Sequence, residues 1–87
     1  MYVIIVYDVS VERVSRICQF LRRYLNWVQN SVFEGEVSMG MLEEIKTGIK
    51  EIINKDEDSA RIYILPNEKP LKREVIGIEK VDLGNVI

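Results

Sequence analysis

The chain opens on an unbroken apolar run, Val3 to Val6, flanked by Tyr2 and Tyr7. A β-branched stretch of this kind predicts a strand buried on both faces rather than an alternating edge strand. It stops at Asp8. Beyond Ser10, which can cap a helix, Val14, Ile17, Cys18, Leu21 and Leu25 recur at helical spacing, while Arg13, Arg16, Gln19 and Arg23 lie off that stripe. The pattern predicts an amphipathic helix with its apolar face in the core. LNWVQNSVFEGEV then reads as two short strands, with Gln29-Asn30-Ser31 as the turn or irregularity between them. A second helix is predicted from near Ser38 to about Asn54, with Leu42, Ile45, Ile49, Ile52 and Ile53 inward and Glu43, Glu44, Lys46, Lys50 and Glu51 outward. Gly48 in its interior costs about 1 kcal/mol relative to Ala. KDEDS is a polar connector, ARIYIL a strand stopped by Pro66, and PNEKPLKRE a loop. VIGIEKVDLGNVI closes the chain with one or two strand-like pieces.

This order predicts an α/β fold: a ferredoxin-like βαββαβ sandwich with an extra C-terminal strand and both helices on one sheet face. Residues 1–87 form a single domain, with residues 74–87 a candidate partner-docking segment. Because two helices shield one face only, a homodimer packed sheet to sheet is expected, its terminal strand extending or exchanging onto the second copy. The alternative is a monomer whose tail covers its own sheet. Size favours a partner, since a chain of 87 residues hides only about 64% of its extended surface on folding.

Twelve basic against fourteen acidic residues give a net charge of -2, which excludes a polycation that coats nucleic acid but leaves room for a local basic patch. Cys18 is the single cysteine, so no intrachain disulfide forms. The absence of His removes imidazole zinc sites, His general bases and Ser-His-Asp catalysis together. Chemistry is left to carboxylates, hydroxyls, Lys, Arg or a hard metal ion. The opening MYVIIVYD is too short to span a membrane, is broken by Asp8, and lacks the basic lead and cleavage site of a signal peptide. The expectation is a soluble protein of the reducing cytoplasm, without a membrane partner.

Asp8 heads the candidate site residues, because a carboxylate directly after a buried strand is held at the mouth of the sheet. Its plainer reading is a solvated turn or helix-start aspartate, since Asp is common there. One carboxylate is a poor magnesium site, and two symmetry-related copies facing each other across a dimer axis would remove that objection. Arg13, Arg16, Arg22 and Arg23 put four guanidinium groups on one helix, suited either to phosphate oxygens or to a solvated face supported by pairs such as Glu12 with Arg16. Asn67, Lys69, Lys72 and Arg73 offer a second basic patch. Ser31, Phe33, Glu34 and Gly35 form another cluster: Ser31 can bond a phosphate or water, Glu34 can orient a metal-bound water, or both are plain turn and strand residues. Phe33 and Trp27 read as core, and Tyr7 and Tyr63 as packing residues able to donate hydrogen bonds.

YVIIVYDVS, NSVFEG and DSARIYIL, in that order, are similar to segments of the small CRISPR-associated endoribonuclease family, the dimeric partner of the CRISPR integrase in spacer acquisition. The resemblance runs to about Gly77. It implies a ferredoxin-like homodimer in which Asp8 of each protomer faces its mate across a shared Mg2+, with Tyr7, Ser31 and Phe33 near that interface. It further implies magnesium-dependent endonuclease or endoribonuclease activity on DNA or single-stranded RNA, with Asp8 and Ser31 as catalytic residues. Arg13, Arg16, Arg22 and Arg23 would then contact nucleic-acid backbone. The rival reading is a non-catalytic dimeric adaptor that bridges integrase subunits on DNA. After Asp8 the family often carries an Asp-rich or Arg-rich stretch, where this chain has VSVERV.

Overall fold

The computed structural model describes residues 1–79. Its elements are β1 (Tyr2–Asp8), α1 (Val11–Leu21), β2 (Asn26–Gln29), β3 (Val32–Glu36), α2 (Met39–Ile52) and β4 (Ser59–Leu65). The strands form one sheet in the order β2-β3-β1-β4, and each adjacent pair is antiparallel. This is the expected ferredoxin-like βαββαβ arrangement, with β1 central because it is the most continuously apolar strand.

β1 alternates where uniform burial was expected. Val3, Ile5 and Tyr7 are buried in the core with Phe33, Ile17, Leu21 and Ile45, whereas on the other face Val6 and Asp8 are exposed, Ile4 is half-buried and only Tyr2 is buried. The reason is geometric: successive side chains point to opposite faces, and the described residues cover the second face only at its Tyr2 end. Burying each of Ile5, Phe33 and Ile17 contributes about 1.5–3 kcal/mol, so the helix-facing side carries most of the fold's stability.

Ser38 caps α2 by accepting from the Met41 N–H at 3.1 Å. Ser10 occupies the corresponding position before α1, but its side chain makes no cap hydrogen bond. The β2–β3 connection turns through Asn30 at φ 36°, and the ladder shifts register between Trp27 and Gln29. Asparagine tolerates this left-handed conformation better than most residues. The indole N–H of Trp27 donates to the Asn30 carbonyl at 2.9 Å and closes the turn. The extra strand expected at the C-terminus does not form within residues 66–79, and the rest of that expectation, residues 80–87, lies outside the described residues.

Gly48 has a packing reason that its helix position conceals. A Cβ built there would stand 2.0 Å from Cζ of Phe20, because the Phe20 ring of α1 lies directly against the α2 backbone. Gly48→Ala should therefore displace the ring and lower stability despite the better helix propensity of alanine. In a Phe20→Ala background the same substitution should stabilise by about 1 kcal/mol. Urea unfolding of the two single variants and the double variant checks this, and a Gly48→Ala effect of the same sign in both backgrounds would contradict the contact.

Candidate functional site

The uncovered face of the sheet follows from register, since residues directly opposite in an antiparallel ladder share a face. Tyr2, Ile4, Val6 and Asp8 of β1 stand with Glu36, Glu34 and Val32 of β3 and with Leu65, Tyr63, Arg61 and Ser59 of β4. Val6 is 36% and Tyr63 50% exposed, which leaves apolar surface open at the centre of this face.

The two ends of β1 differ in character. At one end Tyr2 donates its hydroxyl to Glu34 Oε1 at 2.8 Å, and Arg73, reaching back from beyond β4, pairs with the same oxygen. Arg73 also lies 3.8 Å from Glu68 Oε2. Burial pushes the Tyr2 phenol up, the Glu68 carboxylate adds to this and the Arg73 guanidinium opposes it. Glu34, buried in the sheet, is thus satisfied by an arginine from the segment that follows the last strand, and the chain is pinned across that end of the face. At the other end, about 20 Å along the strand at 3.3 Å per residue, Asp8 is exposed opposite Ser59. Ser31 lies nearby, its carbonyl accepting from the Tyr7 N–H at 3.1 Å.

Asp58 fixes the chain around Asp8. Its side chain is fully buried, and its two oxygens accept four bonds: Oδ2 from Arg13 Nε at 2.6 Å and Asn54 N at 2.9 Å, Oδ1 from Ser10 N at 2.9 Å and Arg13 Nη2 at 3.2 Å. Glu57 accepts a further bond from Arg13 Nη2 at 3.0 Å. This joins the first turn of α1, the turn after β1 and the loop before β4, with Ser10, Glu57 and Asp58 within two residues of the Asp8–Ser59 pair. The Arg13 hydrogen bonds hold the Asp58 carboxyl well below the usual carboxylate range, and the same pair raises Arg13.

The predicted site residues therefore separate. Asp8 and Ser31 share one end of the sheet. Tyr7 and Phe33 lie in the core on the helix-facing side, their ring centroids 6.3 Å apart. Burial pushes the Tyr7 hydroxyl up, with the Cys18 thiol adding to it and a Ser31 hydrogen bond opposing it. Arg13 is engaged by Asp58, Arg22 follows the last turn of α1 half-buried, and Arg16 and Arg23 are exposed. Arg23 stacks 5.9 Å from the Phe20 ring centroid and 5.8 Å from that of Tyr24. From the second basic patch, Arg73 is committed to Glu34 and Asn67 accepts from the Lys69 N–H at 2.8 Å in a local turn. Among the described residues no group of three or more His, Cys, Asp or Glu is placed to hold a metal ion. Asp8 brings a single carboxylate, where magnesium ions take octahedral oxygen shells.

Sequence reasoning passed over Asp58 and the structural use of Glu34. Asp58 sits in KDEDS, where it looks like one more solvated charge. The available signal was its place directly before a strand and four residues after a helix-ending asparagine.

A four-stranded antiparallel sheet with two helices on one face and an exposed carboxylate on the other defines a ferredoxin-like domain with one sheet face uncovered. A sequence model described as CRISPR associated protein Cas2 matches residues 1–73. The chain is 63% identical over 79 residues to the CRISPR-associated endoribonuclease Cas2 2 of Archaeoglobus fulgidus, covering 91% of this chain and 86% of that protein. It is 58% identical over 87 residues to the Thermococcus kodakarensis CRISPR-associated endoribonuclease Cas2, with both chains covered in full. A crystal structure of cas2 superposes with a TM-score of 0.86 at 48% identity, over 100% of this chain and 98% of that one. Streptococcus pyogenes Cas2 gives 0.78 at 33% identity, over 88% and 100%. The chain belongs to the Cas2 family of CRISPR-associated proteins.

The Asp58 geometry sets a pH dependence. A carboxyl lowered by folding contributes stability that is present above its ordinary value of 3.8 and is lost as pH falls toward the folded value. Asp58→Asn should therefore lower the thermal midpoint at pH 7 by roughly 5 °C or more, and the gap to wild type should narrow progressively as pH falls below 3.8. Melting curves from pH 2 to 7 check this (~5 steps suffice), and a gap that stays constant with pH would contradict the assignment.

Proposed function

We propose that this protein is a non-catalytic dimeric adaptor of spacer acquisition, bridging integrase subunits on DNA. The observation that carries the reading is the uncovered sheet face, with Val6 and Tyr63 open at its centre and Val75, Ile76 and Ile78 exposed on the segment that follows β4. A second copy packed sheet to sheet buries this surface, and that same segment is available to the partner's β4, an edge strand among the described residues. The exposed Arg16 and Arg23 supply phosphate contacts without base reading. In this reading Asp8 has a structural role at the end of the sheet, opposite Ser59.

A second reading is supported by Asp8's exposure on the face where a second copy would meet it and by the endoribonuclease names of the relatives. Two Asp8 carboxylates, one from each protomer, would share a Mg2+ that polarises a phosphodiester. Within one chain Asp8 alone does not hold that ion, so its role there is to present a rigidly placed oxygen pair to the facing copy.

Light scattering should give a dimer at micromolar concentration, with an interface above about 1,000 Å². A stable monomer would overturn both readings. Purified wild type and Asp8→Ala, each with magnesium and with chelator, separate them: the adaptor predicts equal duplex binding and no cleavage difference, whereas magnesium-dependent cleavage lost in Asp8→Ala transfers the function to the carboxylate pair. Replacing Arg16 and Arg23 with Ala should flatten the salt dependence of duplex binding by about 0.9 in log-log slope for each lost phosphate contact. An unchanged slope would remove these residues from the DNA surface.

A further inference from the structure

The uncovered sheet face carries two charges that its own chain leaves unmatched. Asp8 and Arg61 are both exposed on it, at neighbouring positions of the same end: Asp8 stands opposite Ser59, and Arg61 opposite Val6. Diagonal neighbours of this kind lie about 7–8 Å apart across an antiparallel pair, within reach of a long side chain. Yet among the described residues no opposite charge comes within 4.0 Å of either one. The other end of the face is the reverse case. Glu34 is met by Arg73, Arg73 also lies near Glu68, and Glu36 pairs with the N-terminal amine of Met1. Between the ends the surface is apolar, and Val6 and Tyr63 flank Arg61.

We infer that Arg61 is the counter-charge of the partner's Asp8 in the dimer, so that two identical Asp8–Arg61 pairs close across the two-fold axis. A second copy that covers this face takes both groups partly out of water, where a charge left single costs far more than one that is paired. A two-fold interface presents the same patch from both sides, so the cation for Asp8 and the anion for Arg61 come from an identical surface. The Tyr2 end of that surface has none to give, because its charges are already engaged with one another. The Asp8 end offers one of each sign. The two sheets therefore meet with their Asp8 ends together, and Val6 and Tyr63 of both copies keep water from the pairs, which strengthens their attraction. Two carboxylates and two guanidinium groups sum to zero, so the cluster is neutral without a bound cation. This pairing rests on the adaptor reading, to which it adds what Asp8 does at the end of the sheet, and it draws on neither of the arginines given to DNA.

Charge reversal tests the pairing. Asp8→Lys gathers four positive groups at the axis and Arg61→Glu four negative ones, so each variant alone should dimerise at least about a hundredfold more weakly than wild type. An equal mixture of the two should recover dimers to within about tenfold of wild type, and these should be heterodimers, because only there does every group meet its opposite. The Asp8→Lys, Arg61→Glu double variant, with both signs exchanged in one chain, should recover its homodimer. Sedimentation equilibrium in chelator reads the affinities, native mass spectrometry with one variant isotope-labelled identifies the heterodimer, and circular dichroism reports the fold of each variant. Asp8→Ala removes an attraction and adds no charge, so it should lose only about tenfold, and its duplex binding is compared with wild type at concentrations where both are dimers. Undiminished dimers of either single variant would overturn the pairing, for the missing charge would then come from elsewhere, such as Lys69 or Lys72 after β4. A mixture no better than its components would do the same, since Asp8 and Arg61 would then pair within one chain. So would a wild-type dimer that dissociates in chelator, where a metal ion would be the counter-charge. A monomeric wild type would overturn the adaptor reading and the pairing together, whereas a wild-type dimer indifferent to both reversals would overturn the pairing alone.

Discussion

Two helices packed side by side are wide enough to roof one face of a four-stranded sheet, and both helices of this chain lie on the same face. The rest of the molecule is arranged around that constraint. Val3, Ile5 and Phe33 go under the roof, and the alternate positions of the same strands emerge on a surface that must be served by something else. On that surface the chain mixes apolar residues with Glu34, Arg61 and Asp8. It is therefore neither a second core nor an ordinary solvated face, and it is the surface that the proposed second copy would cover.

Two buried carboxylates stabilise the ends of the sheet in different ways. Asp58 has all its acceptor positions filled by groups local to its own end, including a bidentate arginine, so its desolvation is offset by charge-assisted bonds. Glu34 depends on Arg73, which comes from 39 residues further along the chain. The first arrangement makes the Asp8 end rigid. The second ties the Tyr2 end to a segment that also carries exposed Val75, Ile76 and Ile78, so any rearrangement of that segment must leave Glu34 with another donor or uncover it.

The order and type of the elements were legible in the sequence because hydrophobic period decides them locally. Ile17, Leu21, Ile45 and Ile49 fall where their spacing put them, and the irregular turn at Asn30 was visible in its polar residues. What was not legible depended on distance in the chain. The run from Val3 to Val6 does not say that one of its faces lacks cover, because that is a statement about how many helices cross the sheet. Arg13 looked like a phosphate ligand among four arginines, and only folding brings Asp58 to it across 45 residues. Gly48 stood out as a helix-interior oddity, and its explanation was the Phe20 ring on a different helix.

The edges of the sheet add a consequence for how far assembly can proceed. Among the described residues no strand pairs with the outer edge of β4, which borders the uncovered face, so a copy related by a two-fold axis could occupy edge and face in a single step. The opposite edge is β2, which has only four residues and a register shift against its neighbour. A strand so short and irregular is a poor template for another chain. Growth by repeated strand addition thus has one good end, not two, and two-fold pairing at that end would yield a closed object rather than a fibre.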